Sequence, residues 1–198
     1  MVAISDTELD SGVARVARRG ASRKLGAAEL DAYLRECREL VVAQLRQSLP
    51  TDTRATAGLY DIMLDYPLRP AKALRPALCI AACRALGGNL DGALPSAAAL
   101  ELFHNACLVH DDIEDSAVVR RHGPALHLLH GVPVAVNVGD AMLASALEPL
   151  LGNVRVLGLG AALGILSTFS RMTRESVEGQ MLELGWARDR RAELSDHE

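Results

Sequence analysis

Residues 101–123 read ELFHNACLVHDDIEDSAVVRRHG, and the fold turns on how this stretch is read. Up to His110 its apolar residues recur at helical spacing with no strand-like alternation, so the segment is expected to be one long helix. That helix runs into an acidic cluster, Asp111-Asp112-Ile113-Glu114-Asp115, closed by Arg120-Arg121. The three aspartates stand at i, i+1 and i+4, and with about 100° of turn per residue their carboxylates are expected to leave one side of the helix. Three clustered anions repel one another and call for a cation. Carboxylate oxygens without cysteine neighbours suit a hard ion, and Mg²⁺ is commonly held by one or two carboxylates together with phosphate oxygens. Arg120 and Arg121 are suited to gripping those phosphates. The pattern therefore asks for an anionic substrate, a diphosphate. A charge run is ordinarily a solvated face, but Leu108-Val109 before it and Ala117-Val118-Val119 after it set these acids within apolar sequence.

Moving toward the N-terminus, His104 lies seven residues before Asp111, at nearly the same angle two turns earlier. Cys107 is one turn below Asp111 on the same face and is expected to line a cavity beneath the metal. His110 is turned about 100° from Asp111 and reads as structural. Lys72-Ala73-Leu74-Arg75-Pro76 places two cations at i, i+3, on one side of a helical turn, suited to a second anionic group. Toward the C-terminus, Glu178-Gly179-Gln180-Met181-Leu182-Glu183 puts Gln180 and Glu183 at i, i+3. Glycine inside a helix costs about 1 kcal/mol relative to alanine, so Gly179 suggests the close approach of another helix or a ligand.

The chain of 198 residues is one domain or part of one. Aliphatic residues dominate and aromatics are only 3%, a mixture that favours an all-α fold. A net charge of −4 gives nucleic-acid binding no support. Cys37, Cys79, Cys83 and Cys107 match neither a metal pair nor a secreted disulfide framework, and Cys79 and Cys83, at i, i+4 in an apolar stretch, read as small core residues in a reducing cytoplasm. With Asp6, Glu8 and Asp10 in place of a basic start and an apolar run, no signal peptide is expected. The late apolar stretch 156–169 is too short to span a bilayer, and no stable membrane insertion is expected.

Residues 1–27 read as an N-terminal extension. Helices are expected over 28–48, over 55–65 with a stop before Tyr66-Pro67, over 73–86 with a stop at Gly87-Gly88, from Pro95-Ser96 into the acidic cluster, over 136–151, and from 157 to about 188. The charged residues 189–198 read as a loop between elements.

Taken together, the segments from about Tyr60 to Arg188 closely resemble the trans-prenyl diphosphate synthases, the polyprenyl synthetase family. The most specific parts are Lys72–Pro76, Glu101–Gly123, Asn137-Val138-Gly139-Asp140-Ala141 and Glu178-Gly179-Gln180. The resemblance implies an isoprenoid synthase bundle of helices around a deep apolar cavity, working as a homodimer. It implies a Mg²⁺-dependent transfer in which an allylic diphosphate is held through metal by Asp111, Asp112 and Asp115, with Arg120 nearby. Isopentenyl diphosphate would be held by Lys72, Arg75, His104 and Arg121, with Gln180 also at the substrate. Small residues at Ala106 and Cys107, where the family uses bulky ones to keep products short, imply a product of about geranylgeranyl length or more.

The chain departs from the family at Pro70-Ala71, where two glycines are usual, and at Glu183, where aspartate is usual. Nothing after Arg188 matches the family's second aspartate-rich motif. The 28–198 segment is therefore expected to be the N-terminal portion of a longer enzyme, without its C-terminal helices and with little transfer activity alone. A terpene cyclase on the same scaffold is the alternative, but it would have no use for Lys72, Arg75 and His104. A non-catalytic subunit of a synthase fits poorly with an intact aspartate motif. A purely structural bundle leaves the clustered acids unexplained.

Overall fold

The computed structural model describes residues 26–50, 56 and 58–190. In chain order the elements are α1 (Ala27–Ser48), α2 (Leu59–Leu68), α3 (Leu74–Ala85), α4 (Leu90–Glu114), β1 (Val119–Arg120), β2 (Gly123–Pro124), α5 (Leu126–His130), α6 (Val132–Ser145), α7 (Leu147–Leu157) and α8 (Leu159–Asp189). The architecture is all-α, with one two-stranded ladder too short to leave an alternating pattern in the sequence. Residues 1–25 of the expected extension, the start of the second expected helix at Ala55, and residues 191–198 lie outside the described residues. Gly26 and Ala27 already belong to α1, as its cap and first residue.

Helix α4 is the axis of the fold. The α1, α3, α6 and α7 helices all pack on it. Ala97, Ala98 and Ala99 are buried in succession, so this helix is enclosed on several sides instead of along one stripe. Alanine lets the neighbouring backbones come close. By contrast α1 buries a single stripe, Leu34, Cys37, Val41 and Leu45, at the spacing an amphipathic helix requires. On the α8 side, Phe169 meets Phe103 of α4 edge to face, with ring centroids 5.7 Å apart. Such a pair contributes about 1 kcal/mol beyond its buried area.

Several boundaries differ from the expectations for identifiable reasons. The α4 helix begins five residues before Pro95, because the Asn89 side chain accepts from the Gly92 amide at 2.9 Å and caps the helix start. Pro95 then costs only the bond to the Asp91 carbonyl. The α2 helix runs through Tyr66-Pro67 to Leu68. Its last carbonyls are taken up by Arg38, which donates to Pro67 O, Leu68 O and Arg69 O at 3.3, 2.7 and 3.0 Å, so the end is satisfied without a glycine cap. The helix expected over 136–151 is two helices, α6 and α7, joined at Ala146.

The run Val132–Leu157, and not the shorter stretch 156–169, is long and apolar enough by length and composition to cross a membrane. Here its inward residues Ala135, Val138, Met142 and Leu150 are buried in the core.

Candidate active site

The acidic end of α4 does not present three equivalent carboxylates. Asp112 is fully buried. The Tyr66 hydroxyl donates to its Oδ2 at 2.5 Å, and Arg120 donates to its Oδ1 from Nε at 2.9 Å and from Nη2 at 2.5 Å. The helix geometry explains this, since Asp112 lies about 100° round from Asp111 and about 60° beyond Asp115, which turns it toward the fold. The expectation that all three leave one side is corrected. Asp111 and Asp115 form the outward pair, and Asp112 anchors the arginine.

Asp111 is half-buried and Asp115 exposed, and among the described residues neither carboxylate makes a hydrogen bond or ion pair. Burial, and then repulsion from Glu114, pushes the Asp111 carboxyl above the usual carboxylate range. On α8, Gln180 donates to Glu114 Oε2 at 2.8 Å, which brings that helix to the acidic end. Gly179 does not mark a close approach, because a Cβ there would meet nothing within 4 Å.

The chain between α4 and α5 forms the hairpin β1–β2, with Val119 opposite Pro124 and Arg120 opposite Gly123. Its two loop residues, Arg121 and His122, have φ of 48° and 66°. A two-residue loop of this kind normally uses Asn-Gly, and such strain in larger residues persists where the surroundings impose it. Here Arg121 donates from Nη1 to Tyr66 O at 2.6 Å and to Asn105 Oδ1 at 3.1 Å. Its Nη2 stands 3.9 Å from the buried Glu101 carboxylate.

Arg121 also lines a pocket of about 250 Å³ together with Lys72, Arg75, Glu101 and His104. The four cations and bases assigned from sequence to the second diphosphate thus surround one opening. Arg75 donates from Nη1 to His104 Nε2 at 3.0 Å. A guanidinium is only a donor, so Nε2 accepts and the imidazole is neutral. Burial first, then Arg75, lowers the His104 pKa to about 4. Since the unfolded value is near 6.5, its contribution to stability is present above about pH 6.5 and is lost as the pH falls toward 4.

Of the two expected cavity residues, Ala106 is fully buried in the packed core and faces no open space. Cys107 is half-buried on the Asp111 side, where Asp111 and Arg75 are among the charges acting on its thiol. His110 packs on α6 as a structural residue. Its Nε2 lies 3.5 Å from Asp140 Oδ1 and Val136 O, and a Cβ at Gly139 would clash with its ring.

The sequence reading missed the residues that hold these groups in place. Glu101 Oε1 accepts from Asn105 Nδ2 at 2.8 Å beneath the cationic pocket. Arg69 is ion-paired to Asp65 at 2.6 Å and donates to Arg120 O at 2.7 Å. Tyr66 links α2, α4 and the hairpin. Its hydroxyl is pushed up to about 12, mainly by burial and then by its bond to Asp112. Glu101 inside an otherwise apolar turn was the one visible signal among them.

Among the described residues no group of three or more histidine, cysteine or acidic side chains converges to hold a metal. Asp111 and Asp115 nevertheless fit a divalent ion that takes most of its ligands from substrate phosphate and water, because among the described residues neither carboxylate has a hydrogen-bond or ion-pair partner.

A family model described as Polyprenyl synthetase matches residues 57–198. A geranylgeranyl diphosphate synthase of Cyanophora paradoxa is 32% identical over 156 residues, which is 77% of this chain and 51% of that protein. A (2E,6E)-farnesyl diphosphate synthase of Mycobacterium tuberculosis H37Rv is 44% identical over 109 residues, 55% of this chain and 29% of that protein. Among solved structures, a geranylgeranyl pyrophosphate synthetase from Pyrococcus horikoshii Ot3 superposes with a TM-score of 0.74 at 28% identity, covering 85% of this chain and 50% of that one. The chain spans about half the length, or less, of these curated relatives.

Proposed function

The chain belongs to the polyprenyl synthetase family, and from that premise we propose that it carries the first half of a prenyl-transfer site. The complete enzyme would join isopentenyl diphosphate to an allylic diphosphate and release a longer trans-prenyl diphosphate, working as a cytoplasmic homodimer. One observation carries this reading. Helix α4 carries His104 of the cationic pocket and, at its C-terminal end, Asp111 of the outward carboxylate pair, with His104 and Asp111 separated by about 10 Å along its axis. That spacing suits two diphosphates lying side by side.

In this reading Lys72, Arg75, His104 and Arg121 bind the diphosphate of isopentenyl diphosphate. Asp111 and Asp115 would hold Mg²⁺ against the allylic diphosphate. When bound, that ion supplies Lewis-acid stabilisation of the departing diphosphate. Arg120, held on two of its nitrogens by Asp112, keeps Nη1 available for a phosphate oxygen, because among the described residues that atom makes no hydrogen bond. Gln180, through Glu114, sets α8 against the acidic end of α4. The small Cys107 side chain beside Asp111 supports a tail of geranylgeranyl length or more. The full reading frame, given Mg²⁺, isopentenyl diphosphate and allylic starters of increasing length, should yield a longer diphosphate by mass spectrometry. A hydrocarbon or alcohol formed without isopentenyl diphosphate would move the assignment to a cyclase.

The pocket also makes a pH-dependent prediction. Neutral His104 faces the site of a bound anion, and an anion raises the pKa of an imidazole. Isopentenyl diphosphate binding near pH 6 should therefore take up a proton. Calorimetry in buffers of different ionisation enthalpy reads that uptake, and His104→Gln should abolish it. Equal heats in all buffers for the unaltered enzyme would rule it out.

A further inference from the structure

Tyr66 is fully buried and has three parts, each tied to a different segment of the site. Its hydroxyl donates to Asp112 Oδ2 at 2.5 Å and accepts from the Leu126 amide at 3.0 Å, where the chain leaves the hairpin. Its carbonyl accepts from Arg121 Nη1 at 2.6 Å. Its ring lies under the Arg69 guanidinium, 4.7 Å from the centroid, and Arg69 holds the Arg120 carbonyl. The ring is not free to shift, because Pro67 follows it in the last turn of α2 and Arg38 clamps the carbonyls beyond.

A buried hydroxyl is costly unless bonded, and phenylalanine would fill the same space without that cost. Bulk alone therefore gives no reason for a tyrosine here. The reason lies in Asp112, whose second oxygen would otherwise be buried without a partner.

Resting on the function proposed above, we propose that Tyr66 is a positioning residue that keeps the Asp112–Arg120 pair, and with it the Arg120 edge facing the allylic diphosphate, in register with the isopentenyl diphosphate pocket. The two subsites depend on different atoms of this one residue. The allylic side depends on the hydroxyl through Asp112 and Arg120. The isopentenyl side depends on the backbone carbonyl through Arg121, and no side-chain substitution removes a carbonyl.

The Tyr66→Phe substitution separates the two. In the full-length enzyme it should raise KM for the allylic diphosphate by about tenfold or more, the loss expected for a hydrogen bond to a charged group. KM for isopentenyl diphosphate should stay within about twofold. Binding of inorganic diphosphate with Mg²⁺, read by calorimetry, should weaken in parallel. Because Tyr66 acts through Asp112, Asp112→Asn placed on the Tyr66→Phe background should add little further loss of affinity.

A role confined to packing predicts otherwise, with equal changes in both KM values or none, whatever the shift in unfolding midpoint. That result, or full additivity of the two substitutions, would overturn the proposal. The calorimetric arm needs no turnover. An enzyme that binds Mg²⁺ and diphosphate but forms no longer product would refute the function while still testing Tyr66.

Discussion

Asp112→Ala is expected to destabilise the folded protein by about 3 kcal/mol, a larger loss than any other single change at the acidic end of α4. Asp112 is fully buried, and its two oxygens take all the side-chain bonds that Tyr66 and Arg120 offer to it. Removing one partner of a buried pair leaves the other desolvated and unpaired, which costs about 3–5 kcal/mol. The low end applies because Arg120 keeps 29% of its side-chain surface open to water. The Tyr66 hydroxyl would also lose its acceptor inside the core. Urea unfolding reads the effect directly. A change below about 1 kcal/mol, the scale of a surface ion pair, would show that the buried network does not hold the hairpin. Asp112→Asn should fall between, since an amide oxygen still accepts from Arg120 without the charge.

That contrast also marks what the sequence could reveal. Helical period, the apolar stripe of α1 and the run into the acidic cluster were all legible because they are local. The grouping of Lys72, Arg75 and His104 came from the family pattern and not from helical spacing, because Lys72 stands before α3, with Ala73 between it and the helix at a φ of 48°, so the expected single helical turn for Lys72 and Arg75 is corrected. The division of labour among the aspartates was not. Identity and spacing place Asp111, Asp112 and Asp115 on one helix, but only tertiary contacts decide which of them turns inward. The partners that take Asp112 come from 46 residues earlier and 8 residues later, and no window reaches both. Tyr66 looked like a helix stop because proline follows it. Arg38, far away in the chain, satisfies the carbonyls that let α2 continue. Ala106 shows the opposite error, since a small residue near a motif suggests an open cavity but equally suits close helix packing.

Asp111→Asn with Asp115→Asn should reverse the pattern seen at Asp112, with turnover in the full-length enzyme falling by about 10³-fold or more while the fold becomes more stable. In the proposed site each carboxylate is a fixed charge aimed at the place where cation and departing diphosphate would meet. Removing a single preorganised electrostatic group from such a site costs about 10²–10³ in rate. Without ligand the same charges oppose folding. Asp111 sits above its ordinary pKa through burial first and then repulsion from Glu114. A carboxyl raised in the folded state contributes stability that is full below its unfolded value near 3.9 and is lost as the pH rises through its folded value. At neutral pH it is therefore a net cost, and asparagine removes that cost. The unaltered protein should gain stability as the pH falls into that window, and the double variant should gain less. Added Mg²⁺ with diphosphate should raise the unfolding midpoint of the unaltered enzyme, because a ligand that binds only the folded state stabilises it, and should leave that of the double variant nearly unmoved. A variant that loses turnover and stability together would mean that Asp111 and Asp115 support the fold, as Asp112 does, and that the site has no outward pair.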